Sequence, residues 1–187
     1  MQRLADFYTN LSPESLHCRF LGYARGVTGS AARSFCTLDH MHDEGFVALD
    51  ETVYGGNAIL GHVCLVRVAP GRAELGIAVA DASQGEGIGR RLFETALVWA
   101  RDRGFETIVA SCFADNWRVL ALLRSAPNSA AISTAASGVV DVVIPMRGRI
   151  QRESSRPPYP NLRRPASVKP LRVAWRRTPP PERVAGD

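Results

Sequence analysis

The sequence predicts an α/β (α+β) domain, a sheet flanked by helices, followed by a basic tail without structure. Three observations carry this expectation. Short apolar, β-rich runs recur between residues 46 and 146. One strongly amphipathic helix follows a glycine-punctuated loop, and past residue 147 arginine and proline replace apolar periodicity. The expected organisation is a domain over 1–146 and a disordered tail over 147–187.

A first strand is expected over 15–21. Residues 23–41 carry patchy helical spacing broken by Gly26 and Gly29, which reads as two short helices. The runs FVALD (46–50) and AILGHVCLVRV (58–68) read as strands joined by a turn at Gly55, Gly56 and Asn57. Pro70 and Gly71 then turn the chain into a strand over 73–80. In the next segment Ile88, Leu92, Ala96, Trp99 and Ala100 form one apolar stripe, and Gly104 supplies the stop. TIVASCF (107–113) reads as a buried strand. Asp115 or Asn116 can cap a short helix running through Leu123, ended by Pro127. Strands over about 130–135 and 139–146 close the domain. Gly61 is read as a bulge or a close contact, and Trp99 as core.

The chemistry concentrates in the segment 72–103, where strand, loop and helix follow one another. The loop Gln84, Gly85, Glu86, Gly87, Ile88, Gly89, Arg90 sits where the strand gives way to the helix N-terminus. Backbone N–H groups and the positive end of the helix dipole converge there, a ready place for a phosphate or pyrophosphate. Glycines permit close approach because they lack a Cβ and accept positive φ.

Gln84, Gly87 and Gly89 fill the three defining positions of the pattern Gln/Arg-x-x-Gly-x-Gly/Ala, and Val79 takes the β-branched place five residues earlier. This run resembles the acetyl-CoA-binding segment of the GNAT acetyltransferases. The likeness extends over 13–146. SPESLHCRF at 12–20, LDHMHDEGFVAL at 38–49 and ADNWRVLALLRSA at 114–126 are similar to the GNAT domain of bacterial Pat-type protein acetyltransferases. The resemblance implies the GNAT fold, a mixed sheet of six to seven strands flanked by helices. It also implies acetyl-CoA as co-substrate, and a primary amine as acceptor, on a protein lysine or a small molecule.

The resemblance further implies roles for individual residues. Main-chain amides of the loop would grip the cofactor pyrophosphate, with Arg90 adding charge and Gln84 an uncharged hydrogen bond. The pantetheine arm would lie as a pseudo-strand against Ile77, Ala78 and Val79, where a main-chain amide polarises the thioester carbonyl. Asn116 matches a residue that hydrogen-bonds that arm, or is simply an N-cap. Glu74 lies ten residues before Gln84 and is the one acidic residue of its strand. It is the candidate general base, in an apolar setting that would raise its pKa toward the working range; the other reading is a strand-end carboxylate facing water. Two departures stand out. The helix after residue 116 lacks the Tyr that often protonates the leaving thiolate, and Glu86 sits where many relatives carry Arg or Lys.

Composition narrows the alternatives. Residues 1–146 hold 12 Lys/Arg against 15 Asp/Glu, a net of −3, whereas 147–187 hold 11 against 3, a net of +8. The basicity therefore belongs to the tail, where eight of the 12 prolines fall between Pro157 and Pro181. Only Tyr159 and Trp175 interleave the tail's charges, so no nucleic-acid partner is expected. No apolar run approaches membrane-spanning length, and the N-terminus lacks a secretory h-region, so a cytoplasmic protein without a membrane partner is expected. Cys18, Cys36, Cys64 and Cys112 are scattered without a CxxC pair and read as structural thiols. His40 and His42 are read as loop residues, and no metal is expected. The oligomeric state stays open between monomer and dimer. The alternative function is a non-catalytic acyl-CoA-binding regulatory domain.

Overall fold

A computed structural model describes residues 2–22, 38–53, 56–128, 130–134, 138–146 and 173–177, with backbone alone described at 51–53, 56–57, 134 and 173–177. Two N-terminal helices, α1 (Gln2–Thr9) and α2 (Pro13–Phe20), precede a meander of β1 (Glu44–Val53), β2 (Gly56–Ala69) and β3 (Arg72–Val79). A short 3₁₀ turn (Asp81–Ser83) leads into α3 (Ile88–Asp102), then β4 (Thr107–Phe113) and α4 (Trp117–Arg124). Strands β5 (Ala131–Thr134), β6 (Val139–Pro145) and β7 (Val173–Arg177) complete one seven-stranded sheet in the order β5-β6-β4-β3-β2-β1-β7. All pairings are antiparallel except β3 with β4, so the sheet is mixed.

Two apolar clusters hold the sheet between layers. On one face α3 buries Ile88, Leu92, Phe93, Ala96, Trp99 and Ala100 against Val63, Leu65, Leu75 and Ile108. Here the 3.6-residue stripe expected from sequence meets the inward-facing residues of the strands. Gly61 is a close-approach position under α3: a Cβ there would stand 2.9 Å from the Leu92 side chain. It also adjoins a bulge, because Ala48 pairs with Gly61 and Leu49 with Ile59. On the other face α1 places Leu4, Phe7 and Tyr8 against Val47, joined by Leu11 just beyond the helix.

One expectation is corrected. Of residues 15–21, expected as a strand, 15–20 lie in α2 and Leu21 is its C-cap. Pro13 occupies its first turn and the Ser12 Oγ accepts a hydrogen bond from the Ser15 N–H at 3.1 Å, so capping chemistry decides the local structure. Within the segment expected to lack structure, residues 173–177 form β7 along β1, pairing Phe46 with Arg177 through Asp50 with Val173. An edge strand supplies the unmet backbone donors and acceptors that such a segment cannot find by itself. The rest of the tail and most of the expected helical region 23–41 lie outside the described residues.

Candidate active site

The parallel ladder between β3 and β4 is only three pairs long: Arg72 with Thr107, Ala73 with Ile108 and Glu74 with Val109. Beyond Glu74, β3 continues its pairing with β2 alone, up to Val79 with Gly61, while β4 continues with β6 alone. The two strands therefore separate in the middle of the sheet. The slot so formed opens into a cleft of about 1380 Å³, walled by Glu74, Ile77, Ala78 and Val79 on one side and by Ala110, Cys112, Phe113 and Asn116 on the other. That volume exceeds the range of roughly 300–1,000 Å³ usual for a drug-sized ligand, so the cleft suits a long cofactor together with a second substrate. Backbone edges in such a slot are places where an extended, amide-bearing chain can add as a strand.

The loop 84–90 lies at the end of the slot. Gly85 (φ 82°) and Gly87 (φ 84°) both take the left-handed conformation that glycine adopts without a Cβ penalty. Gly87 is the N-cap of α3 and supplies no side-chain cap, which leaves the first-turn amides to other acceptors. Nothing lies within 4 Å of where a Cβ would stand at Gly85 or Gly87, so the approach to these amides is open. Arg90 also borders the cleft, and its Nε donates to Glu94 Oε1 at 2.9 Å. Arg118 of α4 adds a second cation on the same wall; its guanidinium rests over the exposed Trp117 ring at 5.3 Å, and its Nη1 donates to Gln84 Oε1 at 3.4 Å.

Helix α2 roofs the slot, packing on both β3 and β4. Its N-terminus is tied to the far strand end by Asp81, which accepts from the Ser12 N–H at 2.9 Å and from the Ser12 and Ser15 hydroxyls at 2.7 Å each. Partial burial works against the Asp81 charge, but these hydrogen bonds outweigh it and hold the carboxyl below its ordinary range. Gln84 joins the same knot, donating to Ser15 Oγ at 3.1 Å and to the Val79 carbonyl at 3.4 Å. Farther along, the His17 ring stacks on Phe113 with centroids 4.8 Å apart. At its C-terminal end Arg19 crosses to β3 and sits on Gly76, where any Cβ would collide with the guanidinium. The Arg19 Nη2 donates to Cys64 Sγ at 3.4 Å. Beneath it, the Tyr8 hydroxyl and His62 Nδ1 share a buried hydrogen bond of 2.9 Å. Burial and then the Arg19 charge push the His62 pKa down to about 3, so this imidazole is neutral.

The sequence model of the Acetyltransferase (GNAT) family matches residues 13–126, more than half of the chain and every wall of this cleft up to α4. The chain belongs to the GNAT family of acetyltransferases. Among solved structures it is similar to the GNAT domain of PAT from S. lividans, with 26% identity, 77% of this chain and 84% of that chain covered, and a TM-score of 0.65. The fold is also that of a GNAT superfamily phosphinothricin acetyltransferase from Sinorhizobium meliloti, solved in complex with AcCoA, at 18% identity, with 77% and 83% of the two chains covered and a TM-score of 0.64. No curated protein sequence matches the chain. Membership makes this protein an acyltransferase by family, and the splayed sheet is the GNAT fold.

Of the residues singled out in the sequence, this GNAT domain brings Glu74, Ile77, Ala78, Val79, Gln84, Gly85, Gly87, Gly89, Arg90 and Asn116 to one cleft. Glu86 and Ile88 are not among its walls: Glu86 is exposed, and the Ile88 side chain is buried under the sheet at 4% exposure. Glu74 lies at the fork of the two strands and is exposed rather than enclosed by apolar groups. Strand alternation turns it to the face opposite Ala73 and Leu75, toward α2. Asn116 acts as the N-cap of α4, its Oδ1 accepting from the Val119 N–H at 3.2 Å, and it also hydrogen-bonds the Cys18 thiol. Burial raises that thiol above its ordinary value, with Glu14 and Asp115 adding to the shift.

Sequence reasoning missed the contribution of α2, which carries Ser15, His17, Cys18 and Arg19 into the cleft. The Ser-Pro-Glu start at 12–14 is a helix N-terminus signal, and helical spacing puts Ser15, Cys18 and Arg19 on one side. His40 and His42 each face a nearby carboxylate, Glu44 at the start of β1 at 2.7 Å and Asp39 at 3.0 Å. Among the described residues no cluster of three metal-type ligands occurs, and no helix is long and apolar enough to cross a membrane.

Proposed function

We propose that this protein moves an acetyl group from acetyl-CoA to a primary amine, on a protein lysine or a small molecule, by direct attack. The observation that carries the reading is the three-pair β3–β4 ladder, which opens a slot ending at the uncapped amides of α3. In this reading the pyrophosphate rests on the amides of the loop 84–90 with Arg90 beside it. Gln84 serves as the stitch to α2, and the pantetheine arm pairs with the free edge of β3 at Ile77, Ala78 and Val79. A β3 amide then donates to the thioester carbonyl as negative charge develops on its oxygen, and alignment of the two substrates supplies much of the rate.

Glu74 takes the proton from the incoming ammonium or amine. It stands at the slot's fork, within the same cleft and open to an acceptor arriving from solvent. The leaving thiolate is protonated by water, since α4 carries no Tyr. Because acetyl-CoA is an intracellular metabolite, the reaction is placed in the cytoplasm.

The test is CoA thiol release with acetyl-CoA against a panel of amines and a protein lysate, products being identified by mass spectrometry. Glu74→Gln is expected to lower turnover by about 10²–10⁴-fold while acetyl-CoA affinity stays within a factor of about two. Turnover near the wild-type level in that variant removes Glu74 from the mechanism. Tight acetyl-CoA binding without transfer to any amine would select the regulatory acyl-CoA-binding reading instead.

A further inference from the structure

Arg19 is a cation that reaches from the roof helix α2 onto the β3 wall of the reaction cleft, and the chain is shaped around it. Its guanidinium occupies the space that a side chain at residue 76 would fill, so Gly76 is the seat that admits it. Cys64, directly across the ladder from Gly76, accepts a hydrogen bond from its Nη2, and the Phe20 ring lies 5.2 Å from its centre. Tyr8, itself fixed on His62, hydrogen-bonds the same group. Residues 74 and 76 lie on one face of β3, so the Arg19 head group and Glu74 share the wall where acceptor and thioester meet. A group held by this many contacts is preorganised, and a guanidinium fork matches a carboxylate in shape and charge.

From this geometry we infer that Arg19 is a specificity residue, binding a carboxylate carried by one of the two substrates close to its reacting end. The inference rests on the acetyltransferase reading of the cleft and sharpens its substrate class. Two sources share the chemistry: an amino-acid-like acceptor whose carboxylate neighbours the attacking amine, or a carboxylated acyl chain on CoA. A guanidinium keeps its proton at any working pH, and the Arg19 pKa is raised further despite its burial, with the Glu74 carboxylate among the groups that favour its charge. Arg19 thus meets a carboxylate as a full charge in a partly desolvated place, where such a pair discriminates most strongly.

The experiment uses the full chain in two arms. The acceptor arm compares amino acids with their decarboxylated amines at fixed acetyl-CoA. The donor arm compares succinyl-CoA with acetyl-CoA at a fixed simple amine. In each arm kcat/KM is measured, and affinity is titrated calorimetrically in the presence of CoA or with the thioester itself. In one arm the carboxylated member is expected to be favoured about ten- to a hundredfold. Arg19→Gln should collapse that preference to within about threefold while CoA affinity is kept, and Arg19→Lys should retain part of it. If Arg19→Gln does not fold, Gly76→Ala, which displaces the guanidinium, carries the same expectation. No preference in either arm overturns the inference, as does an equal loss for carboxylated and plain substrates in the variant. A carboxylate preference in binding without any turnover would uphold the inference and overturn the enzymatic reading. Turnover without preference would do the reverse.

Discussion

His62 illustrates what a single residue contributes here. It is wholly buried beside Tyr8 and Arg19, and its pKa is lowered to about 3. In the unfolded chain a histidine titrates near 6.5, so between roughly 6.5 and 3 the unfolded state binds a proton that the folded state refuses. Stability is therefore lost as pH falls through that window, by up to about 1.4 kcal/mol per pH unit for one proton. His62→Gln should remove this component, leaving a flatter stability curve in denaturant melts between pH 7 and pH 4. Parallel curves for the two proteins would show that acid sensitivity lies elsewhere. Histidine at 62 and tyrosine at 8 are 54 positions apart in the sequence. Nothing in either local pattern joins them, which is why this network was not legible before the fold.

Two elements decide how the cleft is built, α2 and the loop before α3. The roof α2 is stitched to the strand end by Asp81, which takes three hydrogen bonds from Ser12 and Ser15. Asp81→Ala should cost about 1–2 kcal/mol, read as a lower Tm. Its KM for acetyl-CoA should rise as well, because Gln84 loses its fixed partner Ser15. An unchanged KM would show that the roof does not order the loop. Within the loop, two glycines separate by conformation. Gly87 has φ of 84°, whereas a Cβ at Gly89 would make only an ordinary contact with Val79, at 3.5 Å. Gly87→Ala is expected to lose about 1 kcal/mol of stability and to weaken CoA binding several-fold, while Gly89→Ala stays close to wild type. The motif and the helix after it could be read directly from residues 84–100, since glycine spacing and a 3.6-residue stripe are local signals. Residues 15–21 misled because seven residues of mixed polarity fit either period; the cap at Ser12 and Pro13 was the deciding signal.

At the scale of the molecule, the sheet is asymmetric. Its centre is opened at β3–β4, while its β1 edge is covered by β7 from far along the chain. Removing residues 147–187 would uncover that edge along Phe46 to Asp50, at the sheet margin and separated from the slot by β2. The truncated chain should keep its affinity for acetyl-CoA and show a lower Tm with concentration-dependent self-association, checked by light scattering. Loss of CoA affinity would instead tie the tail to the site.

The sequence by itself determined the local facts: the order of strands from 44 to 145, the amphipathic α3, the glycine loop and, through its signature, the family. These rest on periodicity and turn chemistry, which act over a few residues. The tertiary structure alone decided that β3 and β4 part after Glu74, that Arg19 lies on Gly76 above the Tyr8–His62 pair, and that β7 returns to β1. Each of these depends on backbone edges and cavities created by distant segments, and no window of sequence contains both sides of such a contact.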